Sequence, residues 1–466
     1  MSVLSQDISS VEIEPGSFRD PSGFTFTFEN EIYRAIAPSY FENFSLLINS
    51  GLYQSLSSKK FVVKHSEIEN FLTKEYTAYK VIKPEQIPFI SYPYEWCFSQ
   101  LQDAALLTLK VQKEALKHGM TLKDASAYNV QFVGGKPIFI DTLSFEKYDE
   151  GKPWNAYRQF CQHFLAPLAL MSYKSAELSK LLLNYIDGIP LELASSLLPS
   201  TSYLNSGIAA HIIFHSKIQK KYSRINTIKN KKTVLPKSKL LLMIQHMEDS
   251  IRTLKIKKVN SNWIKYEVEN TYSEEVLHLK EQIVTSWLEK LKPETLWDLG
   301  CNIGKFSLIA SKHCNYILSM DADHYCIENF YTALKNSATN NILPLVIDLS
   351  NPSPSIGWAN AERRNIAQRG KADTVLALAL THHIRIGNNI PFSIIARYFS
   401  ELTEELIIEF IPKDDAMVQQ MISGRENIFN DYTNGNFIAA FGNYFSINET
   451  FALKNSGRIL YSMTKK

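Results

Sequence analysis

The sequence predicts an α/β chain in two parts: a doubly wound, largely parallel sheet in the C-terminal half, preceded by an α+β region. Three observations carry this. From residue 275 onward, short apolar runs alternate with helical patterns, as happens when each strand of a parallel sheet is followed by a crossover helix. Upstream, aromatic-rich alternation broken by turn residues points to antiparallel hairpins. Between the two, the stretch from Lys217 to Lys239 holds nine basic residues and no acid, a composition shift that marks a boundary.

Taken in order, the first region (1–216) begins with "FRDPSGFTFTFENEIYRAI" (18–36), where alternating aromatics and the "PSG" and "EN" turns predict a β-hairpin. A helix is expected over 101–118, with Ala105, Leu109 and Leu116 on one face and Gly119 as its stop. "VQFVGGKPIFID" reads as two short strands joined by a Gly-Gly turn. Helices with aromatic faces follow to about 215. A basic linker and helix (217–256) lead to the second region (257–466). There "TLWDLG", "YILSM", "ILPLVI", "DTVLALAL", "LIIEF" and "RILYSMT" are strands. "KFSLIASKH", "HYCIENFYTALKNSA" and 390–402 are helices.

At 466 residues the chain is long enough for two or three domains, and 26 Phe and 23 Tyr supply ordinary cores. Fifty basic residues nearly balance 47 acidic ones, so the chain as a whole does not read as a nucleic-acid binder. Its basic strip is either a solvated linker or a contact for phosphate. Five scattered cysteines, none in a C-x-x-C pair, argue against a zinc ribbon or a disulfide framework and fit a reducing compartment. "MSVLSQDISSVEIEPG" has no basic start or apolar run, and no apolar stretch reaches the roughly 18 residues that span a bilayer. A cytoplasmic protein without a membrane span is expected.

Chemistry concentrates in two places. "DLGCNIGKFS" sits where a strand ends and a helix begins; glycines there permit a tight turn and close backbone approach to a ligand. Asp321 lies just past the second strand of that region, where a carboxylate can accept two ribose hydroxyls. Asp348 lies past the third, within reach of an adenine amino group. The fourth strand ends in "ALTHHIRIGNN", placing His382 and His383 as candidate bases or orienting groups, with structural histidines as the rival reading. If that segment is extended, the two rings point to opposite sides and cannot share one ion. Glu409, Lys413, Asp414 and Asp415 follow the fifth strand, either as a charged rim that selects an acceptor or as a solvated loop and helix cap.

The second place is 122–145, "LKDASAYNVQFVGGKPIFIDTLSF". Asp124, Asn129 and Asp141 have the order and spacing of a phosphotransferase catalytic loop followed by its metal-binding aspartate. Asp124 would be the base, and Asn129 and Asp141 the Mg²⁺ ligands of a Mg-ATP site. No Gly-rich phosphate loop precedes them, and none of Lys59, Lys60 and Lys64 can be chosen as the nucleotide lysine. An active phosphotransferase, an inert kinase-like scaffold and a coincidental match all remain open. Weaker signals are His211 and His215 at helical spacing, the aromatic "YPYEWCF" (92–98), and Tyr266 and Tyr272 upstream of the second region.

With these motifs in hand, residues 257–466 resemble a class I S-adenosylmethionine-dependent methyltransferase with a Rossmann-like sheet. The resemblance implies that Asp298, Gly300 and Gly304 shape the pocket for the methionine end. It implies that Asp321 holds the ribose and that Asp348 lies near the adenine. Asn302 replaces the middle glycine and tolerates left-handed backbone. Over nearly the whole chain, "LKDASAYNVQF", "FIDTLSFE", "YRQFCQHFLAPLALM", "DLGCNIGKFS", "ADTVLALALTHHI" and "EFIPKDD" resemble the nodulation protein NoeA-type methyltransferases. That resemblance implies methyltransferase activity with S-adenosylmethionine as cofactor and does not supply the acceptor; a small-molecule or glycan hydroxyl is the expected one. A bifunctional kinase–methyltransferase and an inactive cofactor-binding regulator are the alternatives.

Overall fold

The structure, a computed structural model, describes residues 11–68, 78–218, 234–257, 274–423, 428–454 and 456–466. It divides into two compact units, Met1–Lys258 with Ser355–Arg364 and Val259–Pro354 with Asn365–Lys466. The acid-free strip between 219 and 233, together with Tyr266 and Tyr272, lies outside the described residues.

The first unit opens with an antiparallel sheet made of β1 (Glu12–Ile13), β2 (Gly23–Phe28), β3 (Glu31–Ile36), β4 (His65–Ile68) and β5 (Lys80–Pro84), in the order β1-β2-β3-β5-β4. The β2–β3 turn is Glu29–Asn30, both at positive φ, the two-residue geometry whose twist matches paired strands. Phe26, Phe28, Tyr33, Ala35 and Val81 pack as one cluster on this sheet. Helices α1 (Phe41–Asn49) and α2 (Leu52–Ser58) connect β3 to β4.

Helix α3 runs over Phe98–Lys117 and buries Ala105, Leu109 and Leu116 on one face. The Gln100 side chain accepts from the Cys97 amide at 2.9 Å, which starts the helix three residues earlier than its apolar pattern suggests. After Gly119 at φ +73°, β6 (Met120–Leu122) pairs with β9 (Phe145–Lys147). Between them β7 (Val130–Val133) and β8 (Lys136–Phe139) form a hairpin through Gly134 and Gly135, both at positive φ. "YPYEWCF" is core: Tyr92, Tyr94, Trp96, Cys97 and Phe98 are all buried.

Two segments assigned elsewhere by the sequence belong to this unit. The helix Lys237–Thr253, placed in a linker by its basic start, packs on α3. The Gln102 side chain donates to the carbonyls of Ile251 and Leu254 at 2.8 and 3.1 Å, and Lys113 pairs with Glu248. The excursion Ser355–Arg364 contributes Glu362, which receives two hydrogen bonds from Arg19 at 2.8 and 2.9 Å. It also contributes Arg363, whose guanidinium lies 4.3 Å from the Tyr128 ring centroid.

The second unit is a seven-stranded sheet of β10 (Thr295–Leu299), β11 (Tyr316–Asp321), β12 (Ile342–Val346), β13 (Ala372–Ala377), β14 (Thr403–Phe410), β15 (Phe445–Ala452) and β16 (Ile459–Lys465). Its order is β12-β11-β10-β13-β14-β16-β15. The first five strands are parallel and almost wholly buried, and β16 runs antiparallel to both of its neighbours. Strand β15, with pattern "FSINETFA" and a register shift between Ile447 and Glu449, is exposed over most of its length. That edge position explains why its sequence carries little apolar alternation. Chain order reverses between β10 and β13, and this reversal opens a crevice at the carboxyl ends of the strands.

Candidate functional site

The crevice is a cavity of about 580 Å³, within the range of roughly 300–1,000 Å³ common for cofactor sites. Four strand ends supply its wall: Asp298 and Gly300 from β10, Asp321 from β11, Ile347 and Asp348 from β12, and Leu378 and Ala379 from β13. Of the six cofactor candidates, Asp298, Gly300, Asn302, Asp321 and Asp348 line it.

Gly304 does not line it. At φ +85° this residue precedes the helix Lys305–Ala310, and a Cβ there would stand 2.0 Å from the Phe330 ring. Its role is close packing of the loop, whereas Gly300 at φ +76° turns the backbone along the cavity wall under Leu380. Asn302 takes φ +50°, the left-handed backbone that Asn accepts more readily than most residues.

The loop is braced from below. The amides of Gly300 and Cys301 donate to the Met320 carbonyl at 2.8 and 2.9 Å. Asp321 then accepts from the Asn302 amide through Oδ2 at 2.8 Å and from the Asp323 amide through Oδ1 at 2.9 Å. Burial pushes the Asp321 carboxyl up to about 6, because those amides offset only part of the lost hydration. Asp298 is likewise pushed up to about 6 by burial, against the pull of Ser307, whose Oγ donates to its Oδ2 at 2.6 Å. Asp348 accepts from the Ser350 amide at 2.9 Å and hydroxyl at 2.6 Å. Two desolvated carboxylates facing one cavity form a site short of hydrogen-bond donors, which a ligand rich in hydroxyl and amino groups can supply.

The two histidines separate. His383 lines the cavity, and burial pulls its imidazole down to about 4, so it is neutral at neutral pH and can accept a proton. His382 is fully buried, is not part of the lining, and neither ring nitrogen has a hydrogen-bond partner among the described residues. The extended geometry expected for this pair is not what forms. His382 has helical dihedrals, His383–Gly387 is a wide helical turn, and the rings lie 3.9 Å apart by centroid. The reason is Ala379 at φ +50°, which ends the strand early; its amide donates to Glu409 Oε2 at 2.8 Å.

Glu409 itself needs correction: it lies within β14, is fully buried, and pairs with Lys280 at 2.7 Å, so it is not part of a charged rim. Asp415 is a helix cap, accepting from the Met417 amide at 2.9 Å, and it pairs with the buried Arg458 at 2.7 Å. Lys413 donates to the Phe429 carbonyl at 3.2 Å, and Asp414 is exposed. Cys301 is buried, and burial holds its thiol well above its usual range, which suits packing rather than nucleophilic chemistry.

Several lining residues were not singled out by sequence reasoning: Lys280, Lys305, Phe306, Leu380, Ile384 and Met421. Lys280 carried a legible signal. On the helix Glu274–Leu291 the buried positions are Val276, Lys280, Val284, Trp287 and Leu288, so one lysine sits in an otherwise apolar stripe.

In the first unit, Asp124, Asn129 and Asp141 do come together, but Asp141 is already engaged. Its Oδ1 meets Arg34 Nη1 at 2.5 Å and accepts the Leu143 amide at 2.9 Å, and its Oδ2 accepts the Ser144 hydroxyl at 2.5 Å. Asn129 donates to that same Ser144 at 3.2 Å. Burial, with the Asp141 charge nearby, raises the Asp124 carboxyl. The cation at this site is therefore Arg34 from β3, not one of the three lysines weighed in the sequence; Lys59 pairs with Glu114 at 2.6 Å. Among the described residues there is no cluster of three or more His, Cys, Asp or Glu placed to hold a metal ion. His211 hydrogen-bonds His246 at 3.0 Å and Tyr157 at 2.8 Å. No described helix is long and apolar enough to cross a membrane.

In comparison with known proteins, this chain is 33% identical over 457 residues to the nodulation protein NoeA of Rhizobium meliloti (strain 1021), covering 97% of this chain and 95% of that protein. No family model matches. Among solved structures, the chain is similar to magnesium protoporphyrin IX methyltransferase (ChlM) from Synechocystis PCC 6803 with bound SAM. That match has 16% identity, covers 45% of this chain and 87% of that one, and has a TM-score of 0.31. It is also similar to the N-methyltransferase NodS from Bradyrhizobium japonicum WM9, with 11% identity, coverage of 41% of this chain and 98% of that one, and a TM-score of 0.31.

Proposed function

The chain belongs to the family of the nodulation protein NoeA, and from that premise we propose that its second unit is an S-adenosylmethionine-dependent methyltransferase acting on a small-molecule or saccharide hydroxyl. The observation that carries this reading is Asp321. Its desolvated carboxylate ends β11 inside a cavity at the reversal point of the sheet, with Asp298 and Asp348 on the neighbouring strand ends. A ribose diol would replace at Asp321 the hydration that burial removes, and Asp348 would meet the adenine amino group. The wall at Asp298 and Gly300 would hold the methionine end, with Lys280 placed for its carboxylate.

Bound cofactor would supply a methyl group made electrophilic by a sulfonium. The chain's own task is then positioning and proton handling. Neutral His383 would take the proton of the acceptor hydroxyl as oxygen attacks. Leu380, Ile384 and Met421 would keep water from the methyl group. Calorimetry with S-adenosylmethionine should give saturable binding. Labelled methyl transfer into a native-like extract should then identify the acceptor. Absence of binding at high-micromolar ligand would overturn the reading, and binding without transfer to any acceptor would favour a regulatory protein.

For the first unit we infer an inert kinase-like scaffold in place of a working phosphotransferase. Support comes from Asp141, both of whose oxygens are occupied by Arg34, the Leu143 amide and Ser144, leaving Mg²⁺ no free carboxylate. Millimolar Mg-ATP should leave the melting temperature unchanged. A stabilisation abolished by Asp141→Ala would reinstate the bifunctional enzyme.

A further inference from the structure

A second cavity, of about 390 Å³, lies in the first unit away from Asp141, between the α2 end, α3 and the start of the helix Lys237–Thr253. Its lining contains Lys59, Lys110, Lys113, Lys117 and Lys237 against a single carboxylate, Glu114. Phe61, Leu116 and Leu241 form the apolar part of the wall. We propose that this cavity binds a small molecule carrying two or more phosphoryl groups.

The lysine placement is unfavourable for folding alone. Lys110, Lys113 and Lys117 stand at i, i+3 and i+7 of α3, one stripe of like charge, which destabilises a helix. Lys237 occupies the first turn of its helix, where the dipole disfavours a cation, and that turn contains no acid. Glu114 is saturated: its oxygens take Lys59 at 2.6 Å, Ser55 at 2.6 Å and Lys117 at 3.0 Å. Burial raises its carboxyl, but these partners outweigh burial and hold it down to about 2, so its charge persists and is fully compensated. Lys113 is held by Glu248, which also takes Arg252 at 2.8 Å. The Lys237 amide, not its ammonium, meets Glu150 at 2.9 Å. Lys110, whose ammonium lies 5.9 Å from the Phe61 ring centroid, and Lys237 have no ion pair among the described residues.

The ligand class follows from spacing and chemistry. From Lys110 to Lys117 the helix advances about 10 Å, more than one phosphate can bridge and within reach of a short phosphoanhydride chain. Lysine, a compact point charge, suits phosphate, whereas bidentate carboxylate recognition favours arginine. The apolar wall leaves room for an organic group beyond the phosphates. A nucleic-acid strand would demand a groove that continues beyond these nine lining residues, with aromatic faces for successive bases, and the lining offers one aromatic, Phe61.

The test uses the full-length chain and inorganic triphosphate, with orthophosphate as control, in calorimetry at about 0.1 M salt, where exposed charges are already screened. EDTA is included so that binding cannot run through a metal at Asp141. Saturable binding that prefers triphosphate is expected, and Lys110→Glu/Lys237→Glu should weaken it by at least about tenfold. Because Lys237→Glu improves the charge of a helix start, the variant should melt no lower than the parent, which separates lost binding from lost fold. No heat at millimolar triphosphate, or equal binding by the variant, would overturn the proposal. Preference for single-stranded RNA over triphosphate, lost in the same variant, would overturn the small-molecule assignment.

Discussion

Replacing Asp321 with Asn tests the cofactor site at its most constrained point. Burial moves this carboxyl from an ordinary 3.8 to about 6. At about 1.4 kcal/mol per pH unit, that is a charging penalty of about 3 kcal/mol at neutral pH. Asn removes the penalty. It also turns one oxygen that accepts the Asn302 or Asp323 amide into a donor, leaving a buried clash of donors worth about 1–3 kcal/mol. The two effects nearly cancel, so unliganded stability should change by less than about 2 kcal/mol.

Binding should change much more. A hydroxyl donating to a carboxylate contributes about 1.5–3 kcal/mol against about 0.5–1.5 for a neutral acceptor, so two ribose hydroxyls lose about 2–3 kcal/mol together and the dissociation constant for S-adenosylmethionine should rise roughly 30- to 150-fold in calorimetry. The pH dependence has a definite sign. With a folded pKa above the unfolded one, the native state alone holds this proton between 3.8 and about 6, so the contribution of Asp321 to native stability falls as pH rises through that window. Asp298, also at about 6, contributes in the same direction, while His383, held down to about 4, contributes in the opposite one, so Asp321→Asn should shift the slope of stability against pH upward by the contribution of this one carboxyl. Cofactor affinity should fall as pH drops below about 6, where the proton must leave before the diol can bind. A variant that binds within about threefold of the parent, with an unchanged slope of stability against pH, would refute this account of the site.

Four further substitutions separate roles that adjoin one another. His383→Ala should lower kcat by about a hundredfold or more if it takes the acceptor proton. His382→Leu should instead preserve or raise the melting temperature, since its two buried nitrogens have no hydrogen-bond partners among the described residues to lose. Gly304→Ala should destabilise by about 2–5 kcal/mol in denaturant unfolding, from left-handed backbone and a Cβ set against Phe330, with cofactor affinity per folded molecule retained. Lys280→Met should lose about 3–5 kcal/mol by stranding Glu409, and Lys280→Met/Glu409→Gln should recover most of it. Unchanged stability in the single variant would mean that Arg458, 4.0 Å from Glu409, compensates.

What could be read in advance divides by the range of the forces involved. Strand β11 and its terminal Asp321 were legible because buried parallel strands are continuous apolar runs and the carboxylate directly ends one. The Gly134–Gly135 hairpin and the helix ending at Lys117 were legible because turn and stop residues act on their own backbone. Strand β15 was not, since an exposed edge imposes no alternation. The helix Lys237–Thr253 was placed in a linker because its start is basic and its partner, α3, lies more than 100 residues away in sequence.

Charged residues show the same limit most clearly. Glu409 follows apolar neighbours and is followed by Lys413, Asp414 and Asp415, so local composition places it in a solvated loop. Its burial depends on Lys280, which is 129 residues earlier in the chain. Arg34 stands alone in a hairpin strand and acquires meaning only against Asp141, with Asp20 at 2.9 Å on its other side. In both cases an ion pair of long sequence separation sets what a motif can do. At Glu409 the pair fixes the end of β13 by holding the Ala379 amide, so that the turn carries His383 to the cavity and turns His382 away from it. At Asp141 the pair occupies the carboxylate on which metal chemistry would depend. The spacing of Asp124, Asn129 and Asp141 therefore describes a backbone path, while the chemistry open to it is decided by a residue outside the motif.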